Sequence, residues 1–335
     1  MLIDDLKQLP SIHMNTIEGP LYAPADAWSG RDDGPGPEHA RWHSVVSTGD
    51  VTAATSAAAP GAALIGYASD EGVERNGGRQ GAAAGPDELR AALGSLAIHD
   101  DFPRLDAGTV TTQADDLEGS QQALSDRVRD LADAGHLVVV LGGGHETSFA
   151  THRGVRDAVG NMGIINFDAH FDLRTATRPT SGTPFRQIAD LYDGDGFNYS
   201  VLGISRPNNT RVLFDEAKAL DVRTTLDTEV ENLTPAQAAD LAVKAIPAEG
   251  PIHLSIDLDV LPASVAPGVS APAALGVAFP TLRAMVEAVA ATGRVALVDV
   301  VELNPSFDID SRTAKAAARL IDDIVVAHAR AVAKR

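Results

Sequence analysis

Six short apolar runs constrain this chain most, because none of them alternates with polar residues. They are ALIGY (63–67), LVVVL (137–141), MGIINF (162–167), SVLGI (200–204), PIHLSIDL (251–258) and VALVDVVEL (295–303). A strand that is apolar on both sides must be covered on both sides, as in a parallel sheet with helices above and below it. Helical periodicity fills the gaps, near 86–98, 119–134, 146–159, 211–220, 234–246, 280–292 and finally 311–333. The alternation predicts a doubly wound α/β fold. Nothing breaks the pattern after it begins, so residues 61–335 are expected to form a single domain. Residues 1–60 are irregular, with the Gly-, Pro- and charge-rich GRDDGPGPEHARW and the small-residue run TAATSAAAPG. Trp28 and Trp42 lie there, so the segment is expected to pack onto the domain.

In open α/β sheets, ligands bind beyond the carboxyl ends of the strands. Three polar clusters stand at such ends. LVVVL is followed by Gly142-Gly143-Gly144-His145-Glu146, MGIINF by Asp168, His170 and Asp172, and HLSI by Asp257 and Asp259. Residues at alternate positions of an extended chain share a side. Backbone that stays extended past the sheet edge would therefore bring Asp168, His170 and Asp172 together, and likewise Asp257 with Asp259. A triple glycine alone is often a tight turn, and Asp-x-Asp alone is often a helix cap. The three clusters together supply four carboxylates and two imidazoles, enough to neutralise two divalent cations. Such a crowd of buried carboxylates is costly without cations.

There is no cysteine, so thiolate metal sites, iron–sulfur clusters, disulfides and a Cys nucleophile are excluded. Carboxylate and imidazole donors favour Mn²⁺. The net charge is −19, from 27 basic and 46 acidic residues, which opposes binding to nucleic acid or an anionic membrane. The start, MLIDDLKQLP, has no signal-peptide pattern and no apolar stretch is long enough to span a bilayer, so a cytoplasmic protein is expected.

In this order, GGGHE, FDAHFDLR and SIDLDVLPAS…PGVSAP resemble the ureohydrolase superfamily of arginases and agmatinases, over roughly residues 62–330. The resemblance implies a three-layer α/β/α fold with a central, mostly parallel sheet and two Mn²⁺ per subunit. It implies that Asp168 and Asp257 bridge the ions, that His145 and Asp172 complete one, and that His170 and Asp259 complete the other. Glu302, in VDVVELNP, matches the acidic residue that faces the substrate's guanidinium. A homo-oligomer, trimeric or hexameric, is also implied.

WSGRDD (28–33), RWH (41–43), RNGGRQGAAAGP (75–86), TSGTPFRQ (180–187) and SRPNNT (205–210) look like the formimidoylglutamases within that superfamily. Arginases carry a proton-shuttling His in the loop that here reads Ser181-Gly182-Thr183-Pro184-Phe185-Arg186. The implied reaction cleaves N-formimidoyl-L-glutamate to L-glutamate and formamide, a step of histidine degradation. A metal-bridging hydroxide would attack the amidine carbon, with Asp172 as its hydrogen-bond partner and Glu302 holding the amidinium. The alternative is a guanidine hydrolase (agmatinase, guanidinobutyrase or arginase) releasing urea. A dicarboxylate substrate needs cations, and Arg75, Arg79, Arg186 and Arg206 are candidates, with Asn76 and Asn209 as neutral donors. Arg75 and Arg79, in a Gly-rich loop, are the foremost of these. His152 and His253 read as packing residues.

Overall fold

The structure is a computed structural model that describes residues 21–193 and 196–335. The first part of the expected N-terminal segment, residues 1–20, lies outside the described residues. The strands are β1 (Tyr22–Ala23), β2 (Ser47–Thr48), β3 (Ala62–Ala68), β4 (Arg104–Thr111), β5 (Leu137–Leu141), β6 (Gly163–Phe167), β7 (Tyr199–Ile204), β8 (Arg223–Leu226), β9 (Ile252–Asp257) and β10 (Val295–Val301). They form one sheet in the order β1-β4-β3-β5-β10-β9-β6-β7-β8, with β2 also on β4. Among the strand pairs of the described residues, only β1–β4 is antiparallel.

The six apolar runs are all strands, and the reason for their continuous hydrophobicity is visible in β5. Leu137, Val139 and Leu141 join the apolar cluster on one face of the sheet. Val138 and Val140 join the cluster on the other. Both faces are covered, so each position is buried and each large aliphatic side chain gains about 1.5–3 kcal/mol. The first cluster includes Leu89 and Leu93, Leu282 and Met285, and Ile321 and Ile324, from the helices Gly85–Gly94, Phe279–Ala290 and Arg312–Val332. The second includes Leu124, Val128 and Val155, from Leu117–Asp133 and Thr147–Val159. The architecture is thus three layers, α/β/α.

Four strands and several short helices, Glu71–Arg75 and Pro184–Asp190 among them, were not anticipated from the sequence. β4 hides behind its polar residues: Arg104 and Asp106 are buried in it. Tertiary ion pairs make that tolerable, Arg104 with Asp100 at 2.9 Å and Arg90 with Asp106 at 2.7 Å. β1 and β2 are two residues each, and β8 is a half-exposed edge.

In the stretch from 21 to 60, Trp42 is fully buried and its indole N–H donates to Asp322 at 2.8 Å. Trp28 stacks on Trp42 with centroids 6.3 Å apart, and donates to Asp106 at 2.8 Å.

Candidate active site

β5, β10, β9 and β6 are adjacent in the middle of the sheet, and their carboxyl ends face one way. Beyond them lie His145, Glu302, Asp257 with Asp259, and Asp168 to Asp172 respectively. The chain leaves β5 for β6, but β10 and β9 later insert between them, which opens the crevice expected at a topological switch point.

Two groups of side chains have donor atoms close enough to hold a cation: His145, Asp168, Asp172 and Asp257, and then Asp168, His170 and Asp259. His145 Nδ1 lies 3.1, 2.9 and 3.2 Å from carboxylate oxygens of Asp168, Asp172 and Asp257. His170 Nδ1 lies 2.9 Å from Asp259 and 3.7 Å from Asp168. Asp168 joins the groups through its two oxygens, Oδ2 toward His145 and Oδ1 toward His170. Asp257 is grouped with His145, Asp168 and Asp172.

The expectation of extended backbone past the strands needs correction. β6 stops at Phe167, Asp172 has a left-handed backbone with φ 50°, and Leu258–Val260 is a 3-10 turn. Turns bring the donors together instead. Asp168 Oδ1 accepts from His170 N–H at 2.6 Å, and Asp257 Oδ1 accepts from Asp259 N–H at 2.8 Å. Each first Asp thus folds the chain back on itself two residues on. Glu302 is also left-handed, with φ 69°, and its Oε1 accepts from His145 N–H at 2.8 Å. Strained backbone of this kind collects at functional sites. The glycines before His145 serve close approach: a Cβ on Gly143 would sit 1.9 Å from the Ser69 carbonyl oxygen.

Burial favours neutral groups here, and the charges then divide the residues. Burial pulls the His145 imidazole down, but Asp168, Asp172 and Asp257 outweigh it and hold the pKa well above the usual value. His170 is pulled down by burial and carried to about 11 by Asp259 and Asp168. Burial, then Asp168, raises Asp172; burial, then Asp259 and Asp168, raises Asp257 well above the carboxylate range. Glu302 is pushed to about 8 by burial and by Glu146.

The His145 ring shows that a cation fits. Nδ1 is buried without a hydrogen-bond partner, while Nε2 contacts Ser255 Oγ at 3.1 Å. A neutral ring with its hydrogen on Nε2 directs a bare lone pair at three carboxylates, an arrangement that a divalent cation satisfies. The donor set, carboxylate and imidazole without sulfur, suits manganese.

Above the donors is a cavity of about 350 Å³, lined by His145, His170, Asp172, Asp257, Asp259 and Glu302 and by Asn76, Arg79, Arg174, Ser181, Asn208, Asn209 and Ser270. The anticipated cations separate clearly. Arg75 is held by Glu71, Glu118 and two carbonyl groups, outside the cavity lining. Arg186 pairs with Asp190 and Glu216, and Arg206 is exposed on the turn Arg206–Asn208; neither lines the cavity. Arg79 does line it. Its guanidinium donates to the carbonyls of Ser270 and Val269 at 2.9 and 2.5 Å and stacks on Phe307 at 3.8 Å. Asn76 lines it too, donating to Ser181 at 3.2 Å. Asn209 spends its amide on Ala169 and Ser205 carbonyls and the Phe171 N–H, so it ties the donor loop down. The sequence alone did not single out Arg174, an exposed residue on the cavity wall. It stands two residues after Asp172, but with the backbone left-handed at Asp172 no strand alternation carries over to it.

A model of the arginase family matches residues 60–327. A formimidoylglutamase of Nocardia farcinica is 51% identical over 91% of this chain and 97% of its own. One of Corynebacterium efficiens is 49% identical over 91% and 96%. Among solved structures, the Trypanosoma cruzi formiminoglutamase with Mn²⁺ superposes with TM-score 0.73 at 27% identity, over 84% of this chain and 98% of that one. By the family model and these identities over most of its length, the chain belongs to the arginase family.

Proposed function

We propose that the protein hydrolyses N-formimidoyl-L-glutamate to L-glutamate and formamide, with two Mn²⁺ held by His145, Asp168, Asp172, Asp257, His170 and Asp259. One observation carries the substrate assignment: an acidic floor and two arginines share a single cavity. Among the described residues, neither Arg79 nor Arg174 has a carboxylate partner, in a chain of net charge −19. A ligand with a cationic amidine at one end and carboxylates at the other matches that polarity. A guanidine with a cationic tail does not.

Two Mn²⁺ ions bound there would supply an acidified water as nucleophile and positive charge for the transition state. Glu302, fixed by the His145 N–H, orients the amidinium through charge-assisted hydrogen bonds. Asp172, on the cavity wall, takes the proton that the water loses as its oxygen bonds to the amidine carbon. It returns that proton to the glutamate nitrogen as the carbon–nitrogen bond breaks. Arg79 is the prearranged carboxylate site, since its planar group is already held on one edge and one face. Arg174 is the adjustable one. A trimer or hexamer and a cytoplasmic location go with this reading; among the described residues no helix is long and apolar enough to cross a membrane.

The test is steady-state assay of the Mn²⁺-loaded protein on formimidoylglutamate, arginine, agmatine and 4-guanidinobutyrate. Formamide from the first, with little urea from the others, is the expected outcome. Urea from a guanidine would keep the site and overturn the substrate.

A further inference from the structure

A second polar cluster lies beneath the donors, and the chemistry above leaves it unused. Asp299, on β10, is fully buried. Ser255 Oγ donates to it at 2.5 Å and Thr151 Oγ1 at 3.0 Å. Ser148 Oγ lies 3.1 Å from both its oxygens, and His253 Nε2 is 2.7 Å away. Four groups from two elements, the helix Thr147–Val159 and β9, converge on this carboxylate.

Ser255 has one hydroxyl hydrogen, and it goes to Asp299. Toward His145 the Ser255 oxygen is therefore an acceptor. The His145 ring must then place its hydrogen on Nε2, at 3.1 Å, and turn the Nδ1 lone pair to the carboxylates. Apart from the three donor carboxylates that face Nδ1, the described ring contact is Phe185, edge-on at 5.2 Å, which does not act on either nitrogen. We infer that Asp299, acting through Ser255, is the positioning group that holds His145 with Nδ1 aimed at the metal. This rests on the proposed Mn²⁺ reading. It also explains a buried carboxylate with no Arg or Lys partner among the described residues. Groups that orient a metal-bound imidazole in this way matter through ligand basicity and geometry.

Mn²⁺ titration of the metal-stripped protein, followed by electron paramagnetic resonance, tests it in Ser255→Ala, Ser255→Thr and Asp299→Asn. Wild type is expected to take up two ions. Ser255→Ala and Asp299→Asn should weaken one of them by about ten- to a hundred-fold and spare the other. Ser255→Thr, which keeps the hydroxyl, should restore it. Wild-type affinity for both ions in Ser255→Ala would overturn the inference. So would equal weakening of both ions with a lowered melting temperature of the metal-free protein and no rescue by Thr, the mark of a packing role. A wild-type protein that binds no Mn²⁺ pair would instead sink the proposed function, and the inference with it.

Discussion

His145 and His152 stand seven residues apart and are equally buried, at 1% and 0% exposure, yet their environments drive them in opposite directions. His145 faces three carboxylates and is held well above its ordinary pKa. His152 faces His253 at 3.1 Å and Tyr192 at 2.9 Å. Burial, followed by the charges of His253 and Arg156, pushes it well below. Burial alone therefore does not make a functional histidine. The sign of the neighbouring charge does, and those neighbours come from other strands.

The largest expected effect comes from the carboxylate that joins the two donor groups. Asp168→Asn should abolish binding of the Mn²⁺ pair and lower kcat/KM at least about a thousand-fold, the several kcal/mol that such cations supply. Metal content per subunit and formamide release check it. His152→Phe should act on the fold instead. It leaves His253 and Tyr192 without their partner and should cost about 1–3 kcal/mol in urea denaturation. Its kcat/KM at saturating Mn²⁺ should stay within a few-fold of wild type; loss of metal in this variant would break the contrast.

The arginines offer the same comparison between paired and open groups. Arg174→Ala should raise KM for formimidoylglutamate about tenfold with kcat little changed, as loss of uniform binding does. Arg186→Ala, whose partners are Asp190 and Glu216, should leave KM unchanged. A KM shift in the second and none in the first would reverse the assignment.

The smallest effect is a pH slope in the metal-free protein. His152 has a folded pKa below its unfolded value of about 6.5, so the unfolded chain binds more protons between the two. Stability should fall there as pH drops, by at most about 1.4 kcal/mol per unit, and His152→Phe should flatten that slope. His170, at about 11, works oppositely. Its contribution is complete below about 6.5 and is lost as pH rises toward 11. Urea midpoints across pH for wild type and each variant separate the two.

Much of this was legible in the chain. Residue type names the donors, and a strand apolar on both faces names its own position in the sheet. Both are local properties, so His145, Asp168, His170, Asp172, Asp257 and Asp259 stand out from residue type and strand pattern, whereas Glu302 was marked only by the family resemblance. β4 does not, because the partners that make its buried Arg104 and Asp106 acceptable are set by local turns and by the packing of Arg90 across the sheet.

Tertiary structure decided three further things. It set β10 and β9 between β5 and β6, so that Glu302 meets the backbone of His145 at 2.8 Å. It replaced extended backbone with turns in which Asp168 and Asp257 accept from their own chain. It also selected the arginines. Arg75 and Arg186 are captured by nearby carboxylates, while Arg79 and Arg174 reach the cavity without one among the described residues. An ion pair depends on a few ångströms of separation, and the sequence sets which charges exist but not which ones meet.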